Sequence, residues 1–134
     1  MAIFISESKE DTIEFAKRYA STLKGGDVVL LNGEMGAGKT MFAKGVALGL
    51  NISDEVLSPT YSYMNDYNGV LFHFDCYRLK SGEQAEALGL CDYFYSDGIC
   101  LIEWAENISS VLPERVKTVK IEKIGADRRR IEYE

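Results

Sequence analysis

The stretch Val28-Val29-Leu30-Leu31-Asn32-Gly33-Glu34-Met35-Gly36-Ala37-Gly38-Lys39-Thr40 decides the fold. Its apolar, β-branched start reads as a short buried strand. Gly33 to Thr40 then fits the phosphate-loop pattern G-x-x-x-x-G-K-[ST] in full. Lys39 to Leu48 reads as a helix that Gly49 ends. Strand, glycine-rich loop and helix are the context the motif demands. The glycines let successive backbone N–H groups converge on a polyphosphate, and the helix aims its positive end at the same anion. Lys39 reaches the β- and γ-phosphates and serves their chemistry. The Thr40 hydroxyl holds a magnesium ion, and the small Ala37 keeps the backbone close. The candidate nucleotide contacts are therefore Glu34, Met35, Gly36, Ala37, Gly38, Lys39 and Thr40. No Asn-Lys-x-Asp is present to read guanine, which favours ATP.

Toward the N-terminus, Ser8-Lys9-Glu10-Asp11 reads as a helix start. Ser8 can cap, and the acidic residues suit the positive end of the dipole. Ile13, Ala16, Tyr19, Ala20 and Leu23 recur at helical spacing, and Gly25-Gly26 ends the run. Downstream, Tyr61 to Tyr67, Asn68-Gly69 and Val70 to Asp75 predict a hairpin, because Asn-Gly accepts the positive φ angles of a tight type I′ turn. Ser81 can cap a helix through Leu88, closed by Gly89. Ile99 to Glu103 reads as a second buried strand, and a short helix from about Ala105 stops near Pro113. Val116 to Ile124 and Arg129 to Glu134 predict a second hairpin around Gly125-Ala126-Asp127. The expected fold is an α/β, three-layer P-loop domain with a mixed parallel and antiparallel sheet, and residues 1–134 read as one domain.

At 134 residues the chain can bury roughly two-thirds of the surface its unfolded form exposes, enough for a core without staples. Its longest apolar runs, such as Ile99-Cys100-Leu101-Ile102, fall far short of the roughly twenty residues of a membrane span. Met1 to Asp11 lacks the basic-then-apolar pattern of a secretory signal. The three cysteines, Cys76, Cys91 and Cys100, have no metal spacing and read as reduced thiols of a cytoplasmic protein. A net charge of −6 argues against gripping nucleic acid by a general basic field. Arg128-Arg129-Arg130 reads first as a solvated terminal strand.

Magnesium on a phosphate loop takes a second acidic partner at the end of a neighbouring apolar strand. Glu103 stands at such a place. Asp is the common residue there, and Glu, one methylene longer, reaches a metal directly or through water. An exposed strand-end carboxylate is the plainer reading. In His73-Phe74-Asp75-Cys76-Tyr77-Arg78, strand alternation puts His73, Asp75 and Tyr77 on one face. Asp75 can orient or deprotonate a water attacking the γ-phosphate, and Arg78 can neutralise charge in the transition state. Asp75 can equally cap the turn that follows. Ser58-Pro59-Thr60 stands where switch segments sense the γ-phosphate, which makes Thr60 a candidate contact, and a plain turn fits the same residues.

Taken together, Gly33 to Thr40, Ser58-Pro59-Thr60-Tyr61, His73-Phe74-Asp75-Cys76-Tyr77-Arg78-Leu79 and Ile102-Glu103-Trp104 resemble the bacterial TsaE family in order and spacing. This family is the small ATPase of tRNA threonylcarbamoyladenosine modification at adenosine 37. The phosphate loop is shared by many families, and the His-x-Asp-x-Tyr-Arg block followed by Glu-Trp is far more specific. The resemblance implies magnesium-dependent ATP hydrolysis, weak alone. The implied partners are the TsaB and TsaD subunits, and tRNA is touched only through that complex. It implies that Thr40 and Glu103 hold magnesium and that Asp75 belongs to the catalytic centre. Trp104 then stands beside the site. The chain ends of such proteins lie near the adenine, which makes Arg129 a candidate to stack on the base and Lys9 a second one.

Three other readings compete, of which direct RNA binding is disfavoured by the net charge of −6. A small-molecule kinase needs a lid and an acceptor pocket, and the elements read above already use nearly all residues after the loop helix. A nucleotide-gated binding module needs no catalytic aspartate.

Overall fold

The computed structural model describes residues 1–59 and 62–134. It is an α/β fold whose described strands form a seven-stranded mixed sheet, as the sequence predicts. The chain divides into two compact units, Met1–Leu23 with Leu31–Leu57 and Thr118–Glu134, and Lys24–Leu30 with Ser58–Lys117.

The first unit holds β1 (Ala2–Ser6), α1 (Lys9–Ala20), the end of β2 (Val28–Asn32) and α2 (Lys39–Gly49). Its last strands are those numbered β6 (Lys117–Lys123) and β7 (Arg129–Tyr133). The strand order is β1-β7-β6-β2, with β7 antiparallel to both β1 and β6. Ser8 caps α1 as expected, its Oγ accepting from the Asp11 N–H at 3.0 Å. The two helices press together through small residues. A Cβ on Gly45 would lie 2.4 Å from the Ile13 carbonyl oxygen and 2.5 Å from Ala16 Cβ. Glycine at that position therefore sets how closely α2 approaches α1.

β1 is not read from the sequence. Its run Ile3-Phe4-Ile5 is too brief to show a period, and tertiary pairing makes it a strand. Phe4 pairs with Ile131 across the sheet and stacks on Phe15 with ring centroids 4.5 Å apart. Helix α2 includes Gly49 and is capped at Leu50, one residue beyond the expected stop.

The second unit holds the start of β2, β3 (Met64–Tyr67), β4 (Leu71–Asp75), α3 (Gly82–Ala87) and β5 (Ile99–Glu103), ordered β2-β5-β4-β3. β4 is antiparallel to β3 and parallel to β5. Asn68 and Gly69 take the positive φ values expected of them, 59° and 71°. Among the described residues β3 starts at Met64, after Tyr63 at φ 64°; Tyr61, where the predicted strand begins, lies outside them. The short helix expected from Ala105 is a 3-10 segment, Ala105–Val111, and a further one, Leu90–Tyr95, was not expected. Phe72, Phe74, Cys100 and Ile102 meet Leu90, Phe94 and Ile108 in this unit's core. That apolar packing holds two segments whose sequence has no clear helical period. All three cysteines are free. Burial pushes the Cys76 thiol up to about 12, the nearby Asp75 carboxylate adding to it, and burial alone does the same for Cys100. Neither is a nucleophile near neutral pH. No helix among the described residues is long and apolar enough to cross a membrane.

Candidate active site

In the first unit the phosphate loop runs from β2 into α2. Two loop glycines are left-handed, Gly36 at φ 83° and Gly38 at φ 108°, a conformation L side chains rarely adopt. Gly38 occupies the N-cap of α2, and no side chain there bonds the first-turn amides. The contrast within the chain is informative. Ser8 caps α1 and Ser81 caps α3, each accepting a backbone N–H, whereas the eleven-residue α2 has only glycine there. Its leading N–H groups and positive dipole end are dressed for an anionic ligand. Lys39 is only 8% exposed, so its side chain is held rather than waving in solvent. Thr40 is exposed, as are Glu34 and Met35.

Arg129, expected at the adenine, reaches the loop from β7. Its Nε donates to the Ala37 carbonyl oxygen at 2.8 Å. Its Nη1 donates to the carbonyls of Arg128, Gly125 and Ala126 at 3.0, 3.3 and 3.4 Å. One guanidinium thus ties the phosphate loop to the β6–β7 turn, a role the sequence does not show. Lys9 opens α1 and is exposed.

In the second unit, the parallel register pairs Asp75 with Glu103 and His73 with Leu101. Alternation then puts His73, Asp75 and Glu103 on one face, opposite the Phe72–Phe74 face. Glu103 is not an exposed strand-end carboxylate. It is 8% exposed, and its Oε2 lies 2.6 Å from Nε2 of His73, itself 1% exposed. Trp104 follows in the left-handed region at φ 57°, ψ 39°, a strained setting for a bulky residue. Its ring lies 4.9 Å from that of Tyr77. Tyr77 lies past the end of β4 and is exposed, so it does not share the strand face as alternation suggested. Asp75 does cap the turn: its Oδ1 accepts the Tyr77 N–H at 3.0 Å. Asn107, unnoticed in the sequence, pins the same turn by donating from Nδ2 to the Cys76 and Tyr77 carbonyls. Arg78 is exposed. Thr60 lies outside the described residues.

No cluster of three or more His, Cys, Asp or Glu side chains suited to a metal occurs among the described residues. Mg2+ prefers oxygen, keeps several waters and takes one or two protein ligands beside substrate phosphates. Thr40 on α2 and Glu103 at the end of β5 each carry a side-chain oxygen.

Comparison with known proteins places the chain in a family. A family described as "Threonylcarbamoyl adenosine biosynthesis protein TsaE" matches residues 6–131. A Bacillus subtilis protein named tRNA threonylcarbamoyladenosine biosynthesis protein TsaE is 44% identical over 92% of this chain and 79% of its own. A Treponema pallidum protein of the same name is 40% identical, covering 95% of this chain and 96% of its own. Among solved structures, the crystal structure of B. subtilis YdiB superposes with a TM-score of 0.84. It is 37% identical, over 98% of this chain and 83% of that one.

Proposed function

The chain belongs to the TsaE family of tRNA threonylcarbamoyladenosine biosynthesis, and from that premise we propose that it is a magnesium-dependent ATPase of that modification. The observation that carries the proposal is the loop Gly33 to Thr40, with left-handed Gly36 and Gly38 and a helix start that no side chain caps. In this reading residues 1–134 act as one ATPase domain. The loop amides and Lys39 bind the β- and γ-phosphates. Thr40 and Glu103 hold the magnesium, which neutralises charge on the phosphate oxygens. Asp75 positions the attacking water, and Thr60 contacts the nucleotide. TsaB and TsaD are the proposed partners, in the cytoplasm, with tRNA reached through them. Labelled ATP separates this from a kinase: an ATPase frees the label as phosphate, whereas a kinase moves it to an acceptor. Pull-down from native cells with and without ATP tests the partners.

The metal reading makes its own prediction. Glu103→Gln keeps the shape and an oxygen that can accept from His73, and removes the charge. Mg-ATP stabilises the native state only as far as it binds there. A tenfold weaker complex forfeits about 1.4 kcal/mol of that stabilisation. The variant is therefore expected to melt like the parent without ligand and to gain clearly less from Mg-ATP. An equal gain in both proteins defeats the assignment of Glu103 to the metal.

Arg129 and Lys9 are proposed at the adenine. Guanidinium edges can bond carbonyls while the planar face stacks on a base. Arg129→Lys keeps the charge and loses both the fork and the stacking plane. If Arg129 stacks on adenine, ATP affinity falls several-fold further than that of inorganic tripolyphosphate, which loses only the loop tie. If it serves only to tie the loop, both ligands weaken together.

A further inference from the structure

Within β4, His73 is a polar side chain in an almost fully buried place, 1% exposed. An apolar side chain there would avoid the cost of burying an imidazole, so the hydrogen bond it makes needs a reason. Its Nε2 meets Oε2 of Glu103 at 2.6 Å, a short contact for a nitrogen and a carboxylate. The imidazole cannot reach a solvent-borne substrate from that depth. Among the described residues its hydrogen-bond partner is Glu103. The Nδ1 atom is buried with no hydrogen-bond partner among the described residues. That suits the tautomer with the proton on Nε2, since a stranded lone pair costs less than a stranded N–H donor. Nε2–H then donates to the carboxylate.

We propose that His73 is a positioning residue: its Nε2–H fixes the Glu103 carboxylate in the rotamer that serves the nucleotide-borne divalent cation. The proposal rests on the reading of Glu103 as a magnesium ligand. Glu has one more rotatable bond than the Asp common at such strand ends, and so more freedom to lose when it takes up a ligand. A hydrogen bond that holds one oxygen restricts that freedom before the metal arrives. Hydrogen-bonded partners behind a ligand typically matter by about tenfold to a hundredfold in metal affinity. The register explains how the pair arises. His73 lies opposite Leu101 on the parallel strand, so Glu103, two residues on, is its diagonal neighbour on the same face.

The test titrates Mg2+ against binding of a fluorescent ATP analogue, beside binding in EDTA and melting without ligand. His73→Leu is expected to raise the half-saturating Mg2+ by about tenfold or more. Its binding of the analogue in EDTA should match the parent. His73→Gln, whose amide can donate from a similar reach, should restore the parental Mg2+ requirement. His73→Asn, polar but too short, should not. If the leucine variant does not fold, the glutamine and asparagine pair decides. A parental Mg2+ requirement in the leucine or asparagine variant overturns the proposal, and so does weakening that is equal with and without Mg2+. Glu103→Gln in the same titration separates the two levels. No change there overturns the metal reading itself. A change there, with none at His73, overturns only the positioning role.

Discussion

Lys39→Ala is expected to abolish productive ATP binding, with affinity falling by about a hundredfold or more and hydrolysis dropping to background. A hydrogen bond between a charged donor and a phosphate contributes up to about 3 kcal/mol, which is roughly a hundredfold in affinity. Loss of a donor aimed at the transferring phosphoryl adds to the barrier as well. The structure sharpens the control. Lys39 is 8% exposed, and a Cβ placed on Gly33 would sit 3.6 Å from its Cγ, so the aliphatic stem packs beside the loop. Alanine removes that packing together with the charge. Lys39→Met keeps most of the stem and loses only the ammonium. Both variants should fail to bind, and the methionine variant should keep the parental melting temperature. Titration with ATP checks the first expectation and a melt without ligand the second. Hydrolysis by either variant at the parental rate would falsify the site.

Much of this arrangement is legible in the sequence because the signals are local. The Ser8 and Ser81 caps, the Asn68-Gly69 turn and the phosphate loop each follow from neighbours a few residues apart. β5 matches its predicted span because Ile99-Cys100-Leu101-Ile102 is buried throughout and reads as an unbroken apolar run. The features missed depend on partners far along the chain. His73 and Glu103 are 30 residues apart, and only the β4–β5 register makes them neighbours. Arg129 and Ala37 are 92 apart, and nothing local to either announces their bond. β1 and the Leu90–Tyr95 segment were missed for a related reason: packing against Phe15 in one case and Phe72, Phe74 and Ile108 in the other gives them their form. Residue types named candidates for the site, and long-range pairing decides how those candidates are held.

Asp75 carries the last distinction, between an ATPase and a nucleotide-gated binding module, and the structure makes it a sharper test. Its Oδ1 accepts the Tyr77 N–H at 3.0 Å, so the capping role is real. A capping role does not exclude a catalytic one, since a carboxylate accepts through two oxygens. Asp75→Asn separates them. Asparagine retains an oxygen that can accept from Tyr77, so the turn should survive with a stability change of about 1 kcal/mol or less. It loses the negative charge and the basicity that orient or activate water. If Asp75 positions the nucleophile, single-turnover hydrolysis should fall by roughly 10²-fold or more, the scale of losing a positioned general base. That corresponds to about 2.7 kcal/mol of barrier. ATP affinity should stay near parental, because Lys39 and the loop amides hold the phosphates by their own contacts. The measurement is ATP titration and single-turnover hydrolysis on one preparation, with a melt to confirm the turn. Parental affinity with lost turnover assigns Asp75 to catalysis. Parental turnover confines it to the cap, and the protein is then a module that reports bound nucleotide to its partners without needing Asp75 to hydrolyse it.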